Sequence, residues 1–207
     1  MRYSEFKNAV SRFPVISPTH ISHLGILRVQ LTNWAKKGLV VRLKRGLYVL
    51  NENDRKIEPS RIFLANFLYS PSYVSTAYAL GYYDLIPEKV ADVTSVTTKK
   101  TAKFTNVFGS FVYQHLKIDL FFGFRKIEDE NGFSVLMAEP EKAILDFIYL
   151  NLKDFQGKGD DVFSISYRFQ NLEILRKKKL RDFARQYKNR EVVAVVNNFF
   201  CFIKKER

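Results

Sequence analysis

Residues 26–50, ILRVQLTNWAKKGLVVRLKRGLYVL, decide how the rest of the chain is read. Leu27, Leu31 and Trp34 are spaced as one stripe of an amphipathic helix. Lys36 and Lys37 then precede Gly38, and cations in a last turn followed by a residue free to turn left-handed are a helix stop. Beyond it the pattern alternates. Leu39, Val41, Leu43, Leu47 and Val49 are expected to face a core, and Arg42, Lys44 and Arg45 to face solvent or a partner, with Gly46 where a hairpin turns. A helix followed by a basic hairpin is the second half of a winged helix-turn-helix. The helix would enter the major groove of double-stranded DNA, and the hairpin would reach its phosphates.

The preceding residues complete that unit. Phe6, Val10 and Phe13 form one face of a helix over residues 3–13, ended by Pro14, and Ser17-Pro18-Thr19 starts a second short helix running to Leu24. Gly25 is the turn into the third helix. The alternative is a small helical cap on the following domain.

Charge supports a polyanion partner. The net charge of the chain is +13. Residues 1–50 contain nine Lys/Arg and one acid, residues 168–190 nine and two, while residues 51–167 carry thirteen bases and sixteen acids. Clustering of this kind is an electrostatic footprint, whereas an evenly basic surface need only aid solubility. The single cysteine, Cys201, lies in an apolar run and is expected to be a small buried hydrophobe; one cysteine forms no intrachain disulfide, so a reducing, cytoplasmic compartment is expected. The N-terminal segment lacks the apolar core of a signal peptide, and no run of about 18 apolar residues would cross a membrane.

Residues 51–56, NENDRK, read as a linker. Pro59 opens a helix through Leu68, SPSY breaks it, and a short helix follows from Ser75 to Tyr82. From Val93 the period becomes two, in VTSVTT, KFTNVF, SFVYQHL, DLFFGF and FSVLM, with an Asn131-Gly132 hairpin turn before the last. These segments predict an antiparallel sheet of four or five strands. Pro140 starts a helix through Leu150, residues 156–161 form a flexible loop, and two further helices follow, the second capped by Asn189. The expected fold class is α+β: a winged helix-turn-helix over residues 1–51, then an α+β domain over 57–207 with C-terminal helices.

Four blocks, NWAKKGLVVRLKRGLYVL (33–50), SPSYVSTAYALGYYDLIPE (70–88), SVTTKK (95–100) and AEPEKAILDFIYL (138–150), together resemble the AbiE-type antitoxin family, the AbiEi-like transcriptional regulators of bacterial type IV toxin–antitoxin systems. The resemblance implies a recognition helix at 26–37 and a wing at 39–50. It also implies repression of the protein's own operon through inverted repeats and a partner gene encoding a nucleotidyltransferase-like toxin; two protein copies are expected to meet the two-fold symmetry of the operator.

Arg28, Gln30, Asn33 and Lys37 lie off the apolar stripe and suit base edges, since Arg matches guanine and Asn or Gln matches adenine; Lys36 suits phosphate. Arg42, Lys44 and Arg45 repel one another unless phosphates neutralise them. A second basic run, Arg176, Lys177, Lys178 and Lys179 with Arg181 and Arg185, is either a solvated helix face or a further polyanion contact. No residue set suggests catalysis, a cofactor or a metal. His20 and His23 have no third ligand nearby in sequence, Glu139 and Glu141 flank a helix start, and Gly157-Lys158-Gly159 lacks a phosphate-loop pattern. The other function class is a protein- or RNA-interaction module that neutralises the toxin, with DNA binding secondary.

Overall fold

The computed structural model describes residues 1–155, 157 and 159–205. Of the loop expected at 156–161, Gln156 and Lys158 lie outside the described residues.

Helices α1 (Tyr3–Val10), α2 (Pro18–Ile21) and α3 (Arg28–Lys36) precede a hairpin of β1 (Val40–Lys44) and β2 (Leu47–Leu50). Gly25 and Gly38, with φ of +62° and +70°, make the turns on either side of α3 that the sequence expects of them. Ile16 exchanges two backbone hydrogen bonds with Tyr48, at 2.7 and 3.0 Å, and adds a single bridge to the hairpin edge. Phe6, Val10, Ile16, Ile21, Leu31, Val40 and Leu50 form a small core. Trp34 is half-buried beside it, stacked on Phe6 at 4.7 Å and edge-on to Tyr3 at 5.6 Å.

The hairpin is buried on both faces. Val40 and Leu50 belong to the small core, while Leu43, Leu47 and Val49 join the main core of the rest of the chain. A bulge then breaks the alternation at the end of β1. Arg42 pairs with Tyr48, but the next pair is Lys44 with Leu47, so Leu43 is one residue extra in β1. An inserted residue moves every following side chain to the opposite face.

Beyond the hairpin, residues 51–56 are fastened down. Asp54 accepts hydrogen bonds from the Tyr3 hydroxyl at 2.6 Å and from Lys7 Nζ at 2.8 Å. These bonds hold the Asp54 carboxyl below the usual carboxylate range, with the Lys7 bond the larger cause. A group with a depressed folded-state pKa contributes stability above its unfolded value, about 3.9, and loses it as pH falls through the folded value. Trp34, the single tryptophan, reports on this anchor. In an acid titration of its fluorescence, the wild type is expected to keep its folded signal to below about pH 3.9. Asp54→Asn is expected to start from a less stable N-terminal unit and to lose that acid-dependent step; an unchanged profile would mean the anchor contributes nothing.

The second sheet has six strands in the order β5-β6-β4-β3-β8-β7: β3 (Ser72–Val74), β4 (Val93–Thr97), β5 (Ala102–Asn106), β6 (Gly109–His115), β7 (Phe124–Glu128) and β8 (Ser134–Ala138). It is mixed, not antiparallel as expected, because β3 runs parallel to β8 and β4 parallel to β6. The central strand β3 begins within the SPSY break; at three residues it is too short to show alternation, and it is buried throughout. DLFFGF is a 3-10 turn at Ile118–Leu120 leading into β7, not a strand. The Asp129–Gly132 hairpin turn forms as expected, with Gly132 at φ +76°.

Helices α4 (Arg61–Leu68) and α5 (Thr76–Tyr82) pack on the sheet, as does α6 (Pro140–Leu150), which is followed by α7 (Leu152–Phe155), α8 (Lys177–Gln186) and α9 (Arg190–Lys205). Asn189 caps α9, its side-chain oxygen accepting the Glu191 and Val192 amides at 2.9 and 3.3 Å. Cys201 is exposed, contrary to expectation, because α9 buries Phe199, Phe200, Phe202 and Ile203 and leaves position 201 facing outward. Among the described residues no helix is long and apolar enough to cross a membrane.

Candidate nucleic-acid interface

Leu31 faces the small core from α3, and Arg28, Val29, Thr32, Asn33 and Lys36 are exposed, with Lys37 just beyond. Leu27 was expected in the core but is 64% exposed. It stands at the N-cap in extended conformation, one position before the helical phase that would turn its side chain inward. Gln30 is committed to the fold: its Oε1 accepts the Leu27 amide at 3.0 Å and its Nε2 donates to the Met1 carbonyl at 3.2 Å.

A cleft of about 500 Å³ separates α3 from the hairpin. Arg28 and Thr32 line it from the helix, Arg42 and Arg45 from the hairpin, and no acidic residue lines it. Among the described residues none of Arg28, Lys36, Lys37, Arg42 and Arg45 has an ion-pair partner. Five uncompensated cations on one helix and its neighbouring hairpin form a surface whose repulsion an anionic ligand would relieve.

Lys44 is not part of this group. The bulge at Leu43 turns it to the other face of the hairpin, where its Nζ donates to the Leu68 carbonyl. The ammonium lies 5.3 Å from the Phe104 ring and 5.8 Å from the Tyr69 ring. Burial, and secondarily the nearby Lys99 charge, lower its pKa. It ties the hairpin to the sheet domain. Simple alternation put Arg42 and Lys44 on one face, and a bulge has no signature in the residues themselves.

Three of the six cations of the second basic run are ion-paired within the chain. Glu141 accepts both the backbone amide of Arg176, at 2.9 Å, and its Nε, at 3.2 Å, and these contacts raise the Arg176 pKa. Glu139 takes the Arg176 Nη2 at 2.9 Å and also binds Lys179. Arg185 pairs with Asp182 at 3.5 Å, and Arg181 lies 5.1 Å over the Phe200 ring. Only Lys177 and Lys178 of this run enter none of these contacts. Helix α8 packs on α6 and α9, with Phe183 against Phe122 and Tyr187 reaching Asp146 beside β3, while β1 packs against β5.

Of the N-terminal histidine pair, His20 is engaged within the fold. His20 stacks on Phe13 with ring centroids 4.1 Å apart, and its Nδ1 lies 3.0 Å from the Val15 carbonyl. Among the described residues no cluster of three His, Cys, Asp or Glu is placed to hold a metal.

The first 50 residues thus combine three helices and a hairpin with a cleft lined by Arg28, Arg42 and Arg45 and by no acidic residue. Residues 5–51 match the family model for AbiEi antitoxin transcriptional regulators. The match covers the helices and hairpin described above and agrees with the family that the four sequence blocks resemble; this is a family of regulators, not enzymes. No curated protein matches the chain.

Proposed function

We propose that this protein is a DNA-binding transcriptional repressor and the antitoxin of an AbiE-type toxin–antitoxin system. In this reading residues 1–51 form a winged helix-turn-helix and residues 57–207 the domain that supports it. The observation carrying the proposal is the set of five cations at α3, its C-cap and the hairpin that have no ion-pair partner among the described residues, three of which (Arg28, Arg42 and Arg45) line an acid-free cleft. The N-terminal residues of α3 would read base edges in the major groove, with Arg28 suited to guanine and Asn33 to adenine. Lys36, Lys37, Arg42 and Arg45 would hold the backbone. Gln30 and Lys44 drop out of the contact set, because the fold already occupies both side chains. Two copies on inverted repeats upstream of the gene would give autoregulation, and a nucleotidyltransferase-like toxin would be the partner product.

The test is a gel shift on DNA from upstream of the gene over a salt series, beside random duplex of equal length. Tight, salt-sensitive binding that favours the upstream DNA is the expected result. Equal, weak binding to both would sink the repressor reading. It would favour instead an RNA- or protein-interaction module using Lys177 and Lys178, which enter none of the ion pairs of the second basic run.

A further inference from the structure

Two residues at the start of α3 are unexplained by the fold. Leu27 is 64% exposed and Val29 is 57% exposed, and neither belongs to either core. Leucine is a poor N-cap, having no side-chain oxygen for the free amides, and the Leu27 side chain makes no capping bond. Valine is a weaker helix former than alanine, because its branched Cβ loses rotamer freedom against the preceding turn. Local stability would choose otherwise at both positions, and packing uses neither.

Their surroundings indicate what covers them. They bracket Arg28, and Val29 shares the outward face of α3 with Asn33 and Lys36. The helix contains no acidic residue. An occupant of this surface must therefore be anionic overall and yet offer apolar groups beside hydrogen-bonding edges. The major groove of DNA does so: its one apolar feature is the thymine 5-methyl group, set among the acceptors and donors of the base edges. In helix-turn-helix docking the first residues of the recognition helix lie closest to those edges. We infer that Leu27 and Val29 are specificity-determining residues that read thymine methyl groups, next to the base read by Arg28. The inference rests on the repressor reading and adds to it the chemistry of the recognised sequence.

Replacing thymine by deoxyuridine removes only the 5-methyl group and leaves base pairing intact. The experiment substitutes each thymine of the upstream duplex in turn and measures binding of wild type, Leu27→Ala and Val29→Ala. Both variants trim exposed side chains, and alanine favours the helix at position 29, so folding is preserved. Wild type is expected to lose about fourfold in affinity at one or two positions per half-site, the effect of one buried methyl. At those positions one of the two variants should bind thymine and uracil duplexes alike. If a second copy of this chain covered these side chains instead, each variant would weaken both duplexes equally, which overturns the inference. Retained preference for upstream DNA with no methyl-sensitive position overturns this inference alone. If wild type shows no preference for upstream over random DNA, the repressor reading falls and takes the inference with it.

Discussion

Replacing Arg42 and Arg45 together by alanine is expected to lower affinity for the upstream DNA by roughly a hundredfold at low salt, taking about 1.5 kcal/mol for each charge-assisted contact. The slope of log affinity against log salt should become shallower by about 2, because each phosphate neutralised contributes roughly 0.9. Binding to random duplex should weaken in parallel, since phosphate contacts carry no sequence information. Lys44 supplies the control. Lys44→Met removes the charge but keeps a stem over the Tyr69 and Phe104 rings. It is expected to leave the slope unchanged and to cost some stability, because the Leu68 carbonyl loses its donor. The measurement is a titration at four or more salt concentrations for each variant. An unchanged slope in the arginine pair would remove the hairpin from the interface, and a slope lowered by about 0.9 in Lys44→Met would return that lysine to it.

The contrast between these neighbours marks where sequence reading works. The stop at Gly38 and the turn at Gly46 were legible because helix caps and hairpin turns are decided by a few adjacent residues. The cationic character of the face was legible because charge needs no structure to be counted. Which cations remain free was not. Arg176 and Lys179 read as part of a basic run, yet Glu139 and Glu141, some 40 positions earlier, compensate them. The exposure of Leu27 is not legible either, because a four-residue spacing ignores where the helix begins. The central strand β3 was lost because three residues cannot display a period. For Arg176, Lys179, Lys44 and Leu27 the missing information is a long-range partner or a single-residue shift in phase.

The largest expected effect on stability comes from a block that looked like an acidic helix start, AEPEKAILD. Lys142 and Asp146, one turn apart on α6, are both fully buried and paired at 2.5 Å. Asp146 also accepts hydrogen bonds from Tyr73 at 2.9 Å, Ser75 at 2.7 Å and Tyr187 at 2.7 Å, so one carboxylate joins β3, the start of α5, α6 and the end of α8. Burial raises the pKa of both tyrosines, and the Asp146 charge adds to it, keeping them protonated as donors. The Lys142 ammonium lies 4.7 Å from each of the Phe122 and Tyr187 rings. Burial lowers its pKa while Asp146 pulls the other way. Such a pair contributes little beyond an apolar pair of equal shape, but removing one partner strands a buried charge at about 3–5 kcal/mol. Lys142→Met is expected at the lower end, since three hydroxyl donors still serve Asp146. A loss of about 3 kcal/mol should lower the melting temperature by roughly 6–12 °C for a chain of this length. Asp146→Ala should cost more, because it leaves the lysine and all three hydroxyls without their shared acceptor. Thermal unfolding followed by circular dichroism distinguishes the two. Equal and small shifts would mean that water reaches the pair and that the sheet and C-terminal helices are held together by apolar packing alone.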